Sequence, residues 1–509
     1  MIEAQVHQQL YAFLKQQGSE HWPHHLTIAR LVARALRLNR DAVLQISPMA
    51  EYQGRYRLSY LAALLLAPQS AVLVAPESTQ QRLLRSDIPR FLQWSGVSKP
   101  VYQARDWPQR LGLVLISPQD WLLDSQLAQP QYPQDWPLII DQATDLEHWA
   151  REALTVSLTF QSWEQLLWAY PEQRDLIQDL KAALMQKIFQ HPSNPYGAIA
   201  INSDKRLLFE RIHTELGYQA PERSPVQWHK FWTGLKAKGN HSWIEVNRDQ
   251  GSFSAHTAPT TLSSRIAKLL TPRPTVLIGS GFGVETDAAR YRQGLGMGEA
   301  TYVQFAAERQ TEDIQLYLPD RIPMPNTKEF QGALLTHLHQ LLTQPDWTYL
   351  EQPMIVVVDD MPLKTQVAAH LAATLGSRVM MESTELQPNG VLVTGWKFWL
   401  ANHLKISRPA GLLIATLPIP SPENPRVAAR IEQYKRQRLD WFRLYLLPTA
   451  VRTLQQAIAP IREQNGWAAI FDNRILYRSY GQQILEALSP YARIASPEFY
   501  PAKELKNSA

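Results

Sequence analysis

Short apolar runs recur along this chain, each followed by a turn and then by a stretch with apolar residues three and four apart. The runs are AVLVA at 71–75, LGLVLIS at 111–117, LIID at 138–141, TVLIGS at 275–280, TYVQF at 301–305, MIVVVDD at 354–360, VLVTG at 391–395, GLLIAT at 411–416 and WAAIFD at 467–472. A brief apolar run without alternation is a strand buried on both faces, the condition of a parallel sheet covered by helices. Helical patterns between the runs, such as VAAHLAATLG at 367–376, supply the cover. Strand and helix in alternation predict doubly wound α/β domains.

The runs fall into two sets. Three lie between residues 40 and 141 and four beyond 350, with the pair at 275 and 301 between them. Residues 151–270 hold few strand patterns and long helical ones, such as WEQLLWAYPEQRDLIQDLKAALMQKIF, which predicts a mostly helical insertion into the first domain. The Pro-rich segment LPDRIPMPNTKEF at 318–330 is the expected linker. The expected organisation is 1–150 for the first part of domain one, 151–270 for the insertion, 271–320 for the rest of domain one, and 321–509 for domain two. A chain of 509 residues that is 45% hydrophobic can bury several cores.

Charge is only mildly basic, 51 Lys+Arg against 46 Asp+Glu, which permits a polyanion partner without requiring one. The absence of cysteine excludes disulfides, thiolate zinc sites, thiol nucleophiles and iron–sulfur clusters. The opening MIEAQVHQQLYAFLKQQG is amphipathic and lacks a signal-peptide core, and the longest apolar run, near Leu61–Ala67, is too short to cross a bilayer. The expectation is a cytoplasmic protein with no membrane partner. Trp22, Trp94, Trp107, Trp121 and Trp136 stand in polar contexts and read as core and loop anchors.

LIIDQATDLEHWA at 138–150 carries the chemistry. An apolar run that ends in Asp141 delivers an acid to the C-terminal edge of a parallel sheet. In nucleotide-driven motors that edge holds a Mg²⁺-binding Asp, with a further residue placing the attacking water. Here the neighbour is Gln142, and an amide cannot take a proton from water.

Further segments follow in a definite order. They are ARLVARALRLNRDAVLQISPMAEYQGRYRLSYLAALLL at 29–66, STQQRLLRSDIPRFL at 78–92, PTVLIGSGFG at 274–283, VLVTGWKFWLANHLKISRPAGLLIATLPIPSPENP at 391–425 and LPTAVRTLQQAIAPIREQNGWAAIFDNRILYRSYGQQILEALSP at 447–490. With LIIDQATDLE, this order resembles the DinG/XPD-like helicases of superfamily 2, from about Pro23 to about Pro490. The resemblance implies two RecA-like domains, the first carrying an arch-like insertion. It implies ATP and Mg²⁺ as ligands, single-stranded or junction DNA as partner, and roles in DNA repair. The Leu-x-Tyr-Leu pattern falls on Leu58–Leu61. The phosphate-loop Lys then falls on Tyr56 and its Ser/Thr on Arg57, with Gly54 and Arg55 beside them. The acidic motif keeps Asp141 and Ala143 but has Gln142 and Thr144. The coupling motif falls on Ser280. The Phe-Trp pair is Phe398–Trp399, without the family's Glu-Gly-x-Asp after it. In the final motif Gln456, Arg462, Asp472 and Arg474 are recognisable, while the family's Gly-Arg reads Ala459-Pro460.

Framework residues are thus kept while Lys, Glu, the Gly-Arg and the downstream Asp are lost together. The reading is a helicase-fold protein that binds nucleic acid without efficient ATP hydrolysis and names no catalytic residue, Gln142 and Pro460 being the degenerate positions. Asp141 is its weak metal candidate, and Gly54–Arg57, Gln142, Gln456 and Arg462 are its nucleotide candidates. Ser280, Phe398, Trp399, Lys435, Arg436 and Arg438 are its nucleic-acid candidates. Two rivals stand beside it: an active helicase with an atypical site, using Arg55 or Arg57 together with Arg462, and a protein-interaction scaffold with no nucleic-acid role. Asp359–Asp360 invites a metal reading but reads first as a solvated strand edge or a helix N-cap, and His21, His24 and His25 read as surface histidines. The basic stretch 429–443 reads as a solvated face or a phosphate contact.

Overall fold

The computed structural model describes residues 2–17, 22–126, 129–216, 224–271, 273–283, 288–307, 312–344, 352–406 and 408–495. The chain forms two compact units. The first comprises Met1–Ile46, Arg55–Phe305 and Ser421–Leu439; the second comprises Ser47–Gly54, Ala306–Pro420 and Asp440–Ala509.

The first unit is built on a parallel sheet. Its strands are β1 (Ala42–Gln45), β2 (Ala71–Val74), β3 (Val101–Gln103), β4 (Leu113–Ile116) and β5 (Leu138–Asp141), joined after an insertion by β10 (Thr275–Gly279) and β11 (Thr301–Gln304). The order is β11-β1-β10-β5-β2-β4-β3, so β5 is central. Its register sets Asp141 opposite Ile278 of β10. Strands β1, β2, β4, β5 and β10 are buried from end to end, as unalternated apolar runs require.

The insertion is organised by a sheet that its sequence did not announce. Strands β6 (Val156–Leu158), β7 (Ala198–Ala200), β8 (Asn240–Asn247) and β9 (Ser252–Pro259) pair antiparallel in the order β6-β9-β8-β7. The insertion is mostly helical, as expected, with this sheet added to it: the helices Phe160–Ala169, Arg174–Phe189, Ser203–Glu215 and Val226–Lys236 pack on one face of the sheet. Their core includes Trp163, Trp228, Phe209 and Phe231. On the other face Trp243 stacks between His241 and His256, with ring centroids 5.0 and 5.1 Å away. The helix Pro425–Arg436 covers this stack; Arg426 lies over Trp243 and pairs with Glu245 at 3.3 Å. Arg430 and Arg151 share Glu147, at 2.6 and 2.9 Å.

Burial, then Arg151, Arg430 and Arg426, push His241 down to about 4. A histidine whose folded value lies below its unfolded value is neutral in the fold, so the unfolded chain takes up protons first as pH falls. The stability it contributes is complete above about 6.5 and is lost as pH falls toward 4. Between pH 7 and 5 the native protein is expected to lose more melting temperature than a His241→Asn variant. Parallel melting curves for the two proteins would remove this account.

The second unit holds a parallel sheet of β12 (Gln315–Tyr317), β13 (Met354–Val357), β14 (Val379–Met381), β15 (Val391–Thr394), β16 (Gly411–Ile414), β17 (Trp467–Ile470) and β18 (Ala492–Ile494). Its order is β14-β15-β13-β16-β17-β12-β18. Because β12 pairs with β17 and β18, residues 315–317 already belong here. The expected boundary at 320 and the linker at 318–330 are therefore corrected: the changeover precedes the Pro-rich segment. Residues 421–439 also fall in the first unit rather than with domain two. Among the described residues no helix is long and apolar enough to cross a membrane.

Candidate nucleotide and nucleic-acid sites

Where a phosphate loop would wrap an anion, this chain closes a short helix instead. Ser47 caps the helix Pro48–Gln53, accepting from the Ala50 N–H at 3.1 Å, and Pro48 fills its first turn. Gly54 ends it in the left-handed conformation (φ 67°) that favours glycine. Main-chain N–H groups that could face a phosphate serve the helix: Glu51 donates to Ser47 O at 3.0 Å and Gly54 to Glu51 O at 3.1 Å.

The next helix, Arg57–Leu66, and its N-cap residue Tyr56 bring three side chains onto Asp141. Tyr56 donates its hydroxyl to Oδ1, Arg57 Nε donates to Oδ2 at 3.1 Å, and Tyr60 donates to Oδ2 at 3.2 Å. Asp141, Tyr56 and Tyr60 are 0% exposed and Arg57 is 7% exposed. Burial draws the Arg57 guanidinium down, but Asp141, then Tyr56 and Tyr60, outweigh it and hold it above the usual arginine value. Burial, with Asp141 adding to it, raises the Tyr60 phenol. Both carboxylate oxygens are engaged inside the protein by a cation and two hydroxyls.

Gln142 follows in a left-handed turn (φ 55°) that starts the 3₁₀ segment Ala143–Asp145. Thr144 donates to the Ser280 carbonyl at 2.6 Å and so ties the end of β5 to the end of β10. Ser280 itself is buried, which corrects its placement as a nucleic-acid contact.

In the second unit, Arg462 lies on the helix Leu447–Glu463 and is 8% exposed. Its guanidinium donates to the carbonyls of Glu312, Leu488 and Pro490, the last at 2.7 Å. Burial lowers it to about 10, opposed by Glu312 and Asp313, so it stays charged at neutral pH. It staples main chain rather than presenting a charge to solvent. Gln456, on the same helix, is half-buried, and Pro460 is buried inside it.

The helix Pro48–Gln53 belongs to this unit, through contacts that sequence reading missed. Tyr52 meets His403 at 5.6 Å between rings, Gln53 donates to Glu463 at 3.3 Å, and Ser47 donates to Glu312 at 2.9 Å. Burial and then Glu463 push the Tyr52 phenol up to about 12. Pairs up to 410 positions apart leave no local signal in sequence.

Trp399 is 0% exposed and its indole N–H donates to Ala457 O at 3.0 Å; it is a core residue, and its placement as a base-stacking platform is corrected. Phe398 is half-buried against the same core. Lys435, Arg436 and Arg438 are exposed at the end of the helix Pro425–Arg436. Asp360 caps the helix Met361–Leu375 through the Leu363 N–H at 2.8 Å, the N-cap reading. His25 is buried and shares a 2.9 Å hydrogen bond with Ser59, so it is no surface histidine; His21 lies outside the described residues. No group of three or more His, Asp or Glu able to hold a metal occurs among the described residues.

Residues 362–491 match the family model described as Helicase C-terminal domain. ATP-dependent DNA helicase YoaA of Haemophilus influenzae is 26% identical over 267 residues, 49% of this chain and 41% of that protein. YoaA of Escherichia coli is 32% identical over 108 residues, 21% of this chain and 17% of that protein. A structure titled XPD_Helicase superposes over 92% of this chain and 99% of its own, with TM-score 0.62 and 12% identity. This chain is similar to the DinG/XPD-like helicases of superfamily 2 and shares their fold. S. tokodaii Xpd4 shares the fold at TM-score 0.58 and 13% identity, over 93% of this chain and 100% of its own. The matches span less than half the length of either YoaA protein. Both parallel sheets are those the DinG/XPD-like fold requires.

Proposed function

We propose that this DinG/XPD-like protein binds nucleic acid as a helicase-shaped scaffold and does not hydrolyse ATP efficiently. The observation that carries the reading is the closed set of bonds on Asp141. A Mg²⁺ ion on a phosphate-loop site needs carboxylate oxygens facing it and a hydroxyl beside them. Arg57 stands where the hydroxyl would be and is itself a cation on that carboxylate. Tyr56, at the lysine position, supplies no charge for a terminal phosphate. The donor set therefore does not fit a Mg²⁺–nucleotide. The helix at 48–53 and the inward-facing Arg462 support the same reading, since the first consumes main-chain donors and the second is held by carbonyls.

Nucleic acid is the favoured partner on the shared fold and on helicase relatives named as acting on DNA. Purified protein is expected to release no phosphate from ATP above background, with or without single-stranded DNA. A Gln142→Glu variant is expected to stay equally inactive, because restoring an acid does not release Asp141 from Arg57. DNA-stimulated turnover by the native chain would sink the proposal. Silence in both assays together with no DNA retention would favour the protein-interaction scaffold.

A further inference from the structure

Charge is distributed very unevenly over the N-terminal helical pair. From Ile2 to Asp41 the sequence holds Lys15, Arg30, Arg34, Arg37 and Arg40 against three acids, Glu3, Glu20 and Asp41, none of which lies between Arg30 and Arg40. On the helix His25–Leu38, Arg30, Arg34 and Arg37 recur four and three residues apart, so they share one face, and that face is exposed. Ile28, Ala29, Val32, Ala33 and Leu36 are buried on the other. Asn39 closes the helix with φ 55°, and Arg40 follows as a fourth exposed guanidinium.

Glu3 holds Arg37 at 2.7 Å, whereas Arg30, Arg34 and Arg40 form no ion pair with any described residue. That Glu3–Arg37 bond, near the start of one helix and the end of the next, sets the pair antiparallel. Tyr11, 47% exposed, then stands near the level of Arg30.

We propose that Arg30, Arg34, Arg37 and Arg40 form a phosphate-backbone contact for nucleic acid, separate from the basic end of the helix Pro425–Arg436. It rests on the nucleic-acid reading above and assigns it a surface. From Arg30 to Arg40 the row covers about 15 Å at the helical rise, and a nucleic-acid strand offers a phosphate charge about every 3.4 Å along a duplex axis. Arginine forks match phosphate oxygens and stay charged at every relevant pH. Two of the positions assigned to DNA by resemblance, Ser280 and Trp399, are buried, while this row is open to solvent. A protein partner would need an apolar anchor at the centre of the face, and an anionic membrane would need large apolar side chains to insert. Tyr11 is the one large exposed hydrophobic residue of these two helices among the described residues.

The test is fluorescence anisotropy of labelled single-stranded and duplex DNA, from about 50 to 200 mM salt, with the full chain. Native protein is compared with the Arg30→Glu/Arg34→Glu/Arg40→Glu triple variant, its glutamine counterpart, and Lys435→Glu/Arg436→Glu/Arg438→Glu. The first triple variant is expected to weaken binding at least about tenfold and to reduce the salt slope by about two to three. The glutamine variant is expected to show the same slope change with a smaller loss. These exposed substitutions leave the far-ultraviolet circular dichroism unchanged. Native affinity and slope retained by both the glutamate and the glutamine variants of Arg30, Arg34 and Arg40, while the native chain binds, would overturn this surface and leave the broader reading standing. Displacement of DNA by polyglutamate as efficiently as by an oligonucleotide of equal charge would reassign the face to an acidic protein. Tighter capture by phosphatidylserine vesicles than by DNA would reassign it to a membrane. A native chain that binds neither nucleic acid would overturn the nucleic-acid reading together with this one.

Discussion

Asp141→Asn is expected to cost this protein about 3–5 kcal/mol of stability. In a motor that uses the equivalent acid for Mg²⁺, the same change removes turnover and leaves a sound fold. Here the carboxylate is the only described counter-charge bonded to a guanidinium that is 7% exposed. Removing it leaves Arg57 charged, buried and bonded to a neutral amide. Desolvation of that charge, no longer offset, is what the folded state loses. The measurement is the midpoint of thermal or urea unfolding for Asp141→Asn and Arg57→Met separately and for Arg57→Met with Asp141→Leu. Each single variant strands one buried charge, whereas the double variant removes both charges and is expected to recover part of the loss, the Tyr56 and Tyr60 hydroxyls still lacking their acceptor. An Asp141→Asn protein as stable as the native one would mean that the pair is not structural, and would reopen the site to an ion.

How much of this was legible in sequence depends on burial. The nine apolar runs at 71–75, 111–117, 138–141, 275–280, 301–305, 354–360, 391–395, 411–416 and 467–472 each contain a strand. Eight of these strands are buried from end to end and hold few polar residues, so composition marks them, whereas β11 was marked without a buried position and the fully buried β1 is not among the runs. Strands β3, β14 and β18 are three residues long with no buried position, and no apolar run marks them. In β8 the residues Trp243, Ile244 and Val246 alternate only in part, because Trp243 is covered by a helix from far along the chain.

The candidate site divides the same way. Resemblance placed Tyr56, Arg57 and Asp141 at corresponding motif positions, but nothing local says that the first two turn onto the third, 84 or 85 positions away. Phe398 and Trp399 read alike as a pair, yet a helix turns them about 100° apart, and only Trp399 is fully buried. At Asp141, Phe398 and Trp399 the residue type matches the resemblance, while the role depended on which neighbour the fold supplied.

Arg462 carries that distinction into the second unit. Arg462→Met is expected to cost about 3–5 kcal/mol, since it leaves buried carbonyls without a donor at roughly 1–3 kcal/mol each. The acceptors are the main-chain oxygens of Glu312, Leu488 and Pro490, which bring the start of the second unit and its final strand region to one helix. An arginine that reached a transferring phosphate would show the opposite pattern, with stability kept and turnover lost. Arg462→Lys is expected to fall between Met and native: an ammonium keeps charge and donors but lacks the planar fork that spans separated oxygens. Unfolding midpoints of the three proteins decide the matter. A Met variant that melts with the native chain would show the carbonyls satisfied without Arg462, and would return its guanidinium to the nucleotide candidates.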